Sequence, residues 1–440
     1  MFCRPESLLP VAMFLMLSVS EGVAGVHQRP NIILILADDF GYECVGVNGA
    51  TKLKTPHLDQ MAGDGVRFEH CYAQPLCTPT RVQLMTGLYN VRNYVRFGFL
   101  EGTQRTFAHI LKSAGYQTSI AGKWQLGHGF SGPSHFGFDD YCLWQLTRRP
   151  PRYTNPGLEI NGSEVDFNDG EYGPDLVHQH VLDYIEQNQK NSFVVYYPMM
   201  LTHSPFQPTP QSENWDPSAH GETVKDDPTH FADMVAYMDR QIGSLLSHLD
   251  RLSLRENTLV LFLGDNGTGK GIQTDWNGRI ISGGKGTATE AGMRVPLIAS
   301  WKGKIPPGLV CRDLIDTTDF LPTICDAAAV DAPKELDGRS FYPQLLGQTG
   351  IPREWHYCWY EPRQGRESSR KPAVFARNHN YKLYSDGRLM RLGDDGYKET
   401  LTDSSNLSSE ERSVREKLQA VIDRYGQIRP MDYVPPEQRR

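Results

Sequence analysis

The segment Ile32-Ile33-Leu34-Ile35-Leu36-Ala37 is an uninterrupted apolar run that leads directly into Asp38 and Asp39. An apolar run without polar alternation is typical of a β-strand that is covered on both faces. Three further segments have the same character: Phe193–Tyr197, Leu259–Leu263 and the shorter Thr118–Ala121. Because helical patterns separate these runs, the sequence predicts an α/β fold in which helices flank a doubly wound, mostly parallel sheet.

Two of the intervening segments have clear helical patterns. From Phe231 to about Leu252, apolar residues recur every three or four positions, which predicts a long helix with one face in the core. Phe107–Ala114 predicts a shorter helix, for which Thr106 is a suitable N-cap.

The pattern changes after about Asp337. Short, aromatic-rich segments separated by turn residues predict a small antiparallel sheet, and Glu410–Tyr425 predicts a charged helix behind it. The segments are Trp355–Tyr360, Ala373–Arg377, Tyr381–Tyr384 and Leu389–Leu392. We therefore expect a large α/β domain over residues 28–340, a smaller C-terminal α+β domain over 341–428 and a loose tail over 429–440.

The composition is that of a globular protein, with 440 residues of which 39% are hydrophobic and 22% are charged. A formal net charge of -7 gives no electrostatic basis for binding nucleic acid. Leu8–Val19 is too short to span a membrane but has the length of a signal-peptide core, and Ala24 offers a cleavage site. We predict a signal peptide over residues 1–24 and an exported, periplasmic or extracellular protein without a membrane anchor; a buried N-terminal helix is the alternative.

Polar residues follow the predicted strands where ligands bind in open α/β sheets. Asp38 and Asp39 follow the first strand, Asp265 and Asn266 follow the Leu259 strand, and these four side chains offer only oxygen donors. Such a set suits one hard cation, Ca²⁺ or Mg²⁺, and lacks the His and Cys ligands that zinc favours. Taken singly, the Asp38-Asp39 pair could instead cap a helix, and Asp265-Asn266-Gly267 could form a hairpin turn.

A second polar group surrounds a cysteine. In Cys77-Thr78-Pro79-Thr80-Arg81, Pro79 is suited to the first turn of a helix and Gly87 to its end, which places Cys77 at the helix N-terminus. Free N–H groups and the helix dipole favour an anion there, and Arg81 lies on the same face. Lys123 follows the Thr118 strand, and His203 follows the Phe193 strand after a short loop.

These residues resemble the type I sulfatases of the alkaline phosphatase superfamily. Cys77-Thr78-Pro79-Thr80-Arg81 with Thr86-Gly87 is similar to the family motif Cys/Ser-x-Pro-x-Arg. Further matches occur in the family's order over about residues 30 to 425: Ala37-Asp38-Asp39, Thr55-Pro56-His57-Leu58-Asp59, Gly115-Tyr116, Gly122-Lys123-Trp124, Gly264-Asp265-Asn266-Gly267, and Gly283-Gly284-Lys285-Gly286 continuing through Glu290 and Gly292 to Arg294-Val295-Pro296.

The resemblance implies a sulfuric ester hydrolase that acts on a sulfated carbohydrate or another sulfate monoester. It implies that a separate activating enzyme oxidises Cys77 to formylglycine, whose hydrate attacks sulfur with one hydroxyl and releases sulfate with the other. By the same resemblance, residue 77 joins the cation ligands Asp38, Asp39, Asp265 and Asn266. The positive charge around the sulfate comes from Arg81, Lys123 and Lys285, and His203 contacts the leaving oxygen as a general acid.

One position departs from the family pattern. The family usually has His in Gly-Lys-Trp-His-Leu-Gly, whereas this chain has Gln125, which can form hydrogen bonds but cannot carry a proton at neutral pH. Two alternatives stay open: a phosphonate or phosphate ester hydrolase of the same superfamily, and a sulfated-glycan-binding protein with impaired turnover, which Gln125 favours. Arg148, Arg149 and Arg152 form either a second anionic subsite or a solvated basic loop.

Overall fold

The structure is a computed structural model that describes residues 29–219, 224–362, 370–393 and 396–429. The predicted signal peptide and all of the predicted tail except Arg429 lie outside these residues. The strands are β1 (Asn31–Ala37), β2 (Val66–Tyr72), β3 (Gln117–Lys123), β4 (Asp140–Trp144), β5 (Gly157–Ile160), β6 (Ser163–Asp166), β7 (Phe193–Pro198), β8 (Thr258–Gly264), β9 (Gln273–Trp276), β10 (Arg279–Ser282), β11 (Arg294–Ser300), β12 (Leu309–Asp316), β13 (His356–Tyr360), β14 (Ala373–Arg377), β15 (Tyr381–Tyr384), β16 (Leu389–Leu392) and β17 (Glu399–Leu401).

Helices connect these strands. They are α1 (Pro56–Gly63), α2 (Cys77–Thr86), α3 (Asn90–Asn93), α4 (Phe107–Ser113), α5 (Gly132–His135), α6 (Gly173–Gln187), α7 (Phe231–Arg251), α8 (Glu290–Met293), α9 (Phe320–Ala327), α10 (Tyr342–Leu345) and α11 (Ser409–Gly426). The predicted long helix is α7 and the shorter one is α4, where the Thr106 hydroxyl accepts a hydrogen bond from the His109 N–H as the expected N-cap. Within the described ranges, no helix is long and apolar enough to cross a membrane.

The main sheet has ten strands in the order β12-β2-β11-β8-β1-β7-β3-β4-β5-β6. Its five central strands, β8-β1-β7-β3-β4, are all parallel. Strand β11 is antiparallel to both β8 and β2, and β5 and β6 form an antiparallel edge. The predicted mostly parallel sheet is therefore confirmed, with antiparallel additions on both sides that sequence patterning did not indicate.

The alternation of side chains along β1 explains why the whole strand is apolar. Ile32, Leu34 and Leu36 belong to a hydrophobic cluster that includes residues of α2, α4 and α9. Ile33 and Ile35 belong to the opposite cluster, which includes residues of α1, α6 and α7. Successive side chains of a strand point to opposite faces, so helices on both faces require an apolar residue at every position. The predicted three-layer arrangement is confirmed.

The C-terminal region forms a separate antiparallel sheet in the order β13-β14-β15-β16-β17. The predicted segments correspond to its first four strands, α11 corresponds to the predicted charged helix, and β17 was not predicted. Tyr357 and Trp359 of β13 belong to the same hydrophobic cluster as one face of the main sheet. The division into residues 28–340 and 341–428 therefore separates two sheets that share a core, and we retain it as a proposal.

We predict that Gly122→Ala strongly destabilises the protein. Gly122 in β3 has φ +127°, and a Cβ atom there would lie 1.9 Å from the carbonyl oxygen of Pro198 in β7. Because the backbone of β3 fixes the position of the Cβ and the carbonyl belongs to the backbone of β7, neither atom can move cheaply, and we expect a loss of about 3 kcal/mol or more in the free energy of unfolding. Gly63→Ala, in open space at the end of α1, is the matched control and should be neutral or slightly stabilising. Denaturant unfolding of both variants checks this, and equal midpoints would contradict it.

Candidate active site

The in-register ends of β1 and β8 bring two acidic segments together. Ala37 pairs with Gly264, so Asp38 and Asp39 emerge beside Asp265. The Asp39 N–H donates to Asp265 Oδ1 at 3.0 Å, and the Asp265 N–H donates to the Ala37 carbonyl at 2.9 Å. All three carboxylates are buried. A loop, rather than a hairpin, follows Asp265, and the short helix after Asp39 has no side-chain cap. The two structural alternatives for these segments are therefore wrong.

This arrangement has the donor chemistry of a cation site. Ligand atoms of Asp38, Cys77 and Asp265 lie within 4.8 Å of one another. The Asn266 amide nitrogen donates to Asp39 Oδ1 at 2.9 Å, while Asn266 Oδ1 is buried and has no hydrogen-bond partner among the described residues. Burial and the nearby negative charge of Asp38 raise the pKa of Asp265 to about 7. An orphaned carbonyl oxygen beside crowded carboxylates fits a hard cation.

Each carboxylate of the cluster has its own basic partner. Lys123 Nζ contacts both oxygens of Asp38, at 3.0 and 2.8 Å. Lys285 Nζ donates to Asp39 Oδ2 at 2.6 Å, and Arg81 Nη2 donates to Asp265 Oδ2 at 3.1 Å. Burial alone would raise the pKa of Asp38, but the positive charges of Lys123, Arg81 and Lys285 hold it well below its usual range. These basic side chains therefore compensate the buried negative charge.

Helix α2 presents Cys77 beside this cluster. The helix begins at Cys77 and ends at Thr86, and Gly87 caps it in the left-handed conformation with φ +69°. These bounds agree with the predicted helix. Cys77 is buried, and its Sγ donates to Gln125 Oε1 at 2.8 Å. The Thr78 hydroxyl donates to the same oxygen at 3.1 Å, so Gln125 contacts both of the first helical residues.

His203 lies on the other side of the acidic cluster. Its Nε2 is 3.8 Å from Asp39 Oδ2, while Nδ1 faces the Ser204 carbonyl. The Tyr153 hydroxyl lies within hydrogen-bond distance of the backbone carbonyls of Met200 and His203, one of which can accept its proton, and so holds this loop. Burial lowers the pKa of His203 to about 3 despite the neighbouring carboxylates.

A cavity of about 520 Å³ opens over these groups. Asp39, Cys77, His203 and Lys285 are among its lining residues, while Asp38, Arg81, Lys123, Asp265 and Asn266 are buried. The structure thus brings every predicted site residue to one place. The lining also includes residues that sequence reasoning missed: Phe97, Phe206, Lys270 and Arg370. Phe206 and Lys270 could have been found, because they lie a few residues after His203 and Asp265 in the sequence. No sequence pattern indicated Phe97 or Arg370.

The three arginines that follow β4 have different surroundings. Arg148 contacts Glu159, Glu164 and Asp166 and is neutralised by them. Arg152 is buried, with its guanidinium 3.9 Å from the centre of the Trp144 ring and 3.9 Å from Asp38 Oδ2. Arg149 lines the cavity. A solvated basic loop therefore describes Arg149, which is exposed, but not Arg152, which is buried.

Comparison with known proteins agrees with this geometry. The family model "Sulfatase" matches residues 30–330, and the model "N-sulphoglucosamine sulphohydrolase, C-terminal" matches 284–417. Human arylsulfatase A is 33% identical over 77% of this chain and 72% of its own length. N-acetylgalactosamine-6-sulfatase of Canis lupus familiaris is 32% identical over 74% of this chain and 68% of its own length.

A solved structure shows the same fold. It is a protein in complex with its substrate D-glucosamine-2-N,6-O-disulfate, and it aligns with a TM-score of 0.73 and 19% identity over 92% of this chain and 100% of that chain. With the family models and the curated relatives, this agreement extends over both sheets. The chain belongs to the sulfatase family of the alkaline phosphatase superfamily and is a sulfuric ester hydrolase.

Proposed function

We propose that this protein is an exported sulfatase that hydrolyses sulfate monoesters of a sulfated carbohydrate. Its nucleophile would be a formylglycine made from Cys77 by a separate activating enzyme, and its cofactor would be one Ca²⁺ or Mg²⁺. The observation that carries the proposal is the convergence of three kinds of group on one cavity: the cysteine at the start of α2, an all-oxygen donor set and several buried basic side chains.

The basic side chains suit a sulfate ester. The anionic oxygens of a sulfate monoester repel nucleophiles, so hydrolysis needs positive charge fixed around the sulfur before the reaction begins. Arg81, Lys123 and Lys285 are held by hydrogen bonds to the carboxylates, which pre-organises them. Since these groups need little reorganisation, they can stabilise charge that builds up on the sulfate during bond cleavage.

The residues that would hold the cation are Asp38, Asp39, Asp265, Asn266 and residue 77. When bound, a divalent cation supplies positive charge to the sulfate oxygens and to the nucleophile. The formylglycine supplies, in its hydrated form, two hydroxyls on the former Cβ of Cys77. The start of α2 adds free backbone N–H groups and the positive end of the helix dipole next to residue 77.

His203 is placed to protonate the leaving alcohol. Its Nε2 faces Asp39 at the edge of the cavity, and a sulfate in the cavity would bring more negative charge beside the imidazole. Nearby negative charge raises the pKa of a histidine and so favours the protonated form that a general acid needs.

Gln125 cannot act as a base, although its Oε1 contacts Cys77. We propose that it orients residue 77. His128 offers no substitute, because its ring stacks on Phe99, contacts the Leu100 carbonyl and does not line the cavity. The presence of Gln125 supports a second candidate function, that of a sulfated-glycan-binding protein with impaired turnover.

A carbohydrate substrate is supported by the cavity and by the relatives. A volume of about 520 Å³ is in the range of small-molecule sites, and Phe97 and Phe206 give it apolar surface. One relative is an N-acetylgalactosamine-6-sulfatase, and one similar structure holds a sulfated glucosamine. Assays with sulfated saccharides beside the corresponding phosphate and phosphonate esters test the reaction class. Faster hydrolysis of the phosphorus esters would overturn the proposal.

We predict that Cys77 is found as formylglycine after production with the activating enzyme. The modification replaces CH₂SH by an aldehyde, and peptide mass spectrometry of the segment around residues 76–81 detects the corresponding mass loss. The cysteine at position 71 is buried in β2 outside the motif and serves as the internal control, since it should keep its thiol. A homogeneous, fully active preparation with an unmodified thiol at position 77 would refute the prediction.

Chelation should abolish activity, and Ca²⁺ or Mg²⁺ should restore it. Asp265→Ala should lose metal and turnover together, because it removes an anionic ligand and leaves Arg81 without its carboxylate partner. Asp183→Ala, at an exposed carboxylate of α6, is the control and should keep both. Elemental analysis beside activity measures the outcome. Full activity without metal, or two zinc ions per chain, is the contrary result.

Gln125→Ala should cost about tenfold or less in kcat, the effect of losing one positioning hydrogen bond. His203→Ala should cost about 10²–10⁴-fold, the usual contribution of general acid catalysis. Steady-state kinetics on one sulfated substrate compares the two variants, and circular dichroism and metal content verify that both are folded. If Gln125→Ala is as damaging as His203→Ala, then Gln125 does more than orient residue 77.

A further inference from the structure

Arg149 is a positive side chain of the cavity that forms no ion pair with a carboxylate of the described residues. Lys123, Lys285 and Arg81 each contact a carboxylate of the acidic cluster. Arg149 lines the same cavity, is partly exposed and has no ion pair with any described residue. The guanidinium carbon of Arg149 lies 5.9 Å from the centre of the Trp144 ring. A cation without a counter-ion at the mouth of a ligand cavity is available to an anion.

The neighbouring charges strengthen this conclusion. Burial and the positive charge of Arg152 both lower the pKa of Arg149, which means that the two guanidiniums repel each other. The loop that follows β8 contributes Lys270 to the same cavity. Lys270 is exposed and also has no ion pair among the described residues. An anion bound beside Arg149 would relieve the repulsion that the free site contains.

The location separates Arg149 from the sulfate-binding floor. Arg149 is exposed at the opening of the cavity, whereas Cys77, Arg81 and Lys123 are buried beneath it. The buried groups around Cys77 already supply positive charge for the scissile sulfate. Its exposed position would place Arg149 against a part of the substrate that lies outside the buried sulfate site.

We propose that Arg149 binds a second anionic group of the substrate, a carboxylate or a further sulfate on the sugar residue or its neighbour. This inference rests on the proposed sulfatase function, and it narrows the substrate class to saccharides that carry at least one charge besides the scissile sulfate. Arg148 lies in the same segment but is neutralised by Glu159, Glu164 and Asp166, and it provides a matched control.

The test measures binding without turnover. The Cys77→Ala variant of the full chain, loaded with Ca²⁺, is titrated in a calorimeter with disaccharides prepared from chondroitin sulfate and from heparin. Three forms of each are compared: monosulfated with a free uronate, monosulfated with the uronate as its methyl ester, and disulfated with the methyl ester. The methyl ester removes the carboxylate charge, and the disulfated form restores a second charge as sulfate.

We expect at least one doubly charged form to bind about 10- to 100-fold more tightly than the singly charged methyl ester, the usual contribution of a hydrogen bond to an ionic group. Adding Arg149→Gln should bring that ratio close to one, Arg149→Lys should keep part of it, and Arg148→Gln should leave it unchanged. The doubly charged form that binds more tightly identifies the second anion as carboxylate or sulfate.

A ratio near one before Arg149 is changed would overturn the inference, as would a ratio that survives Arg149→Gln. Equal losses in Arg149→Gln and Arg148→Gln would also overturn it, because they would indicate a general charge effect. Hydrolysis by the mature wild-type protein is measured separately. Charge-selective binding without hydrolysis would refute the proposed function alone, and hydrolysis without charge selectivity would refute this inference alone.

Discussion

The burial of three carboxylates within one small volume is the constraint on which the site depends. Isolated buried carboxylates are strongly unfavourable, and here each is compensated by a different basic residue. The partners of Asp38, Asp39 and Asp265 come from the end of β3, the loop before α8 and helix α2. Distant parts of the chain therefore have to meet before any of these charges is satisfied, and this couples formation of the site to completion of the main sheet.

The pairing of carboxylates with basic residues means that two kinds of positive charge can neutralise the carboxylates. Without a cation, the carboxylates are neutralised by lysine and arginine. A divalent cation on the orphaned Asn266 oxygen and its neighbours would take over part of that role. The basic side chains would then be electrostatically available to a bound anion. If the cation binds as proposed, cation binding and sulfate binding would favour each other, because each would provide the charge that the other requires.

Much of this could be predicted from sequence because it depends on local rules. Three local patterns each specify one element with little tertiary information. They are the continuous apolar run of β1, the proline and glycine at the two ends of α2, and the apolar stripe of α7. The acidic pair after β1 and the Asp265 segment converge because parallel strands end at the same edge. The antiparallel position of β11, by contrast, depends on strand order, which no local pattern encodes.

The cavity mouth was predicted less well than its floor. Asp38, Lys123 and Asp265 lie at or directly after the ends of strands, so the sheet sets their positions. Phe97 and Arg370 lie in connecting segments whose path depends on packing. The three arginines after β4 show the same limit. Their sequence context does not reveal that Glu159 and Glu164 neutralise Arg148 while Arg149 turns to the cavity.

The depth at which Cys77 lies has a consequence for how the protein is made. Its side chain is only 2% exposed, at the foot of a helix whose every residue is buried. A separate enzyme could not enclose this residue in the finished fold without unfolding α2. If Cys77 is converted to formylglycine as proposed, the conversion has to take place before the chain folds. The yield of mature protein would then depend on the relative rates of folding and modification.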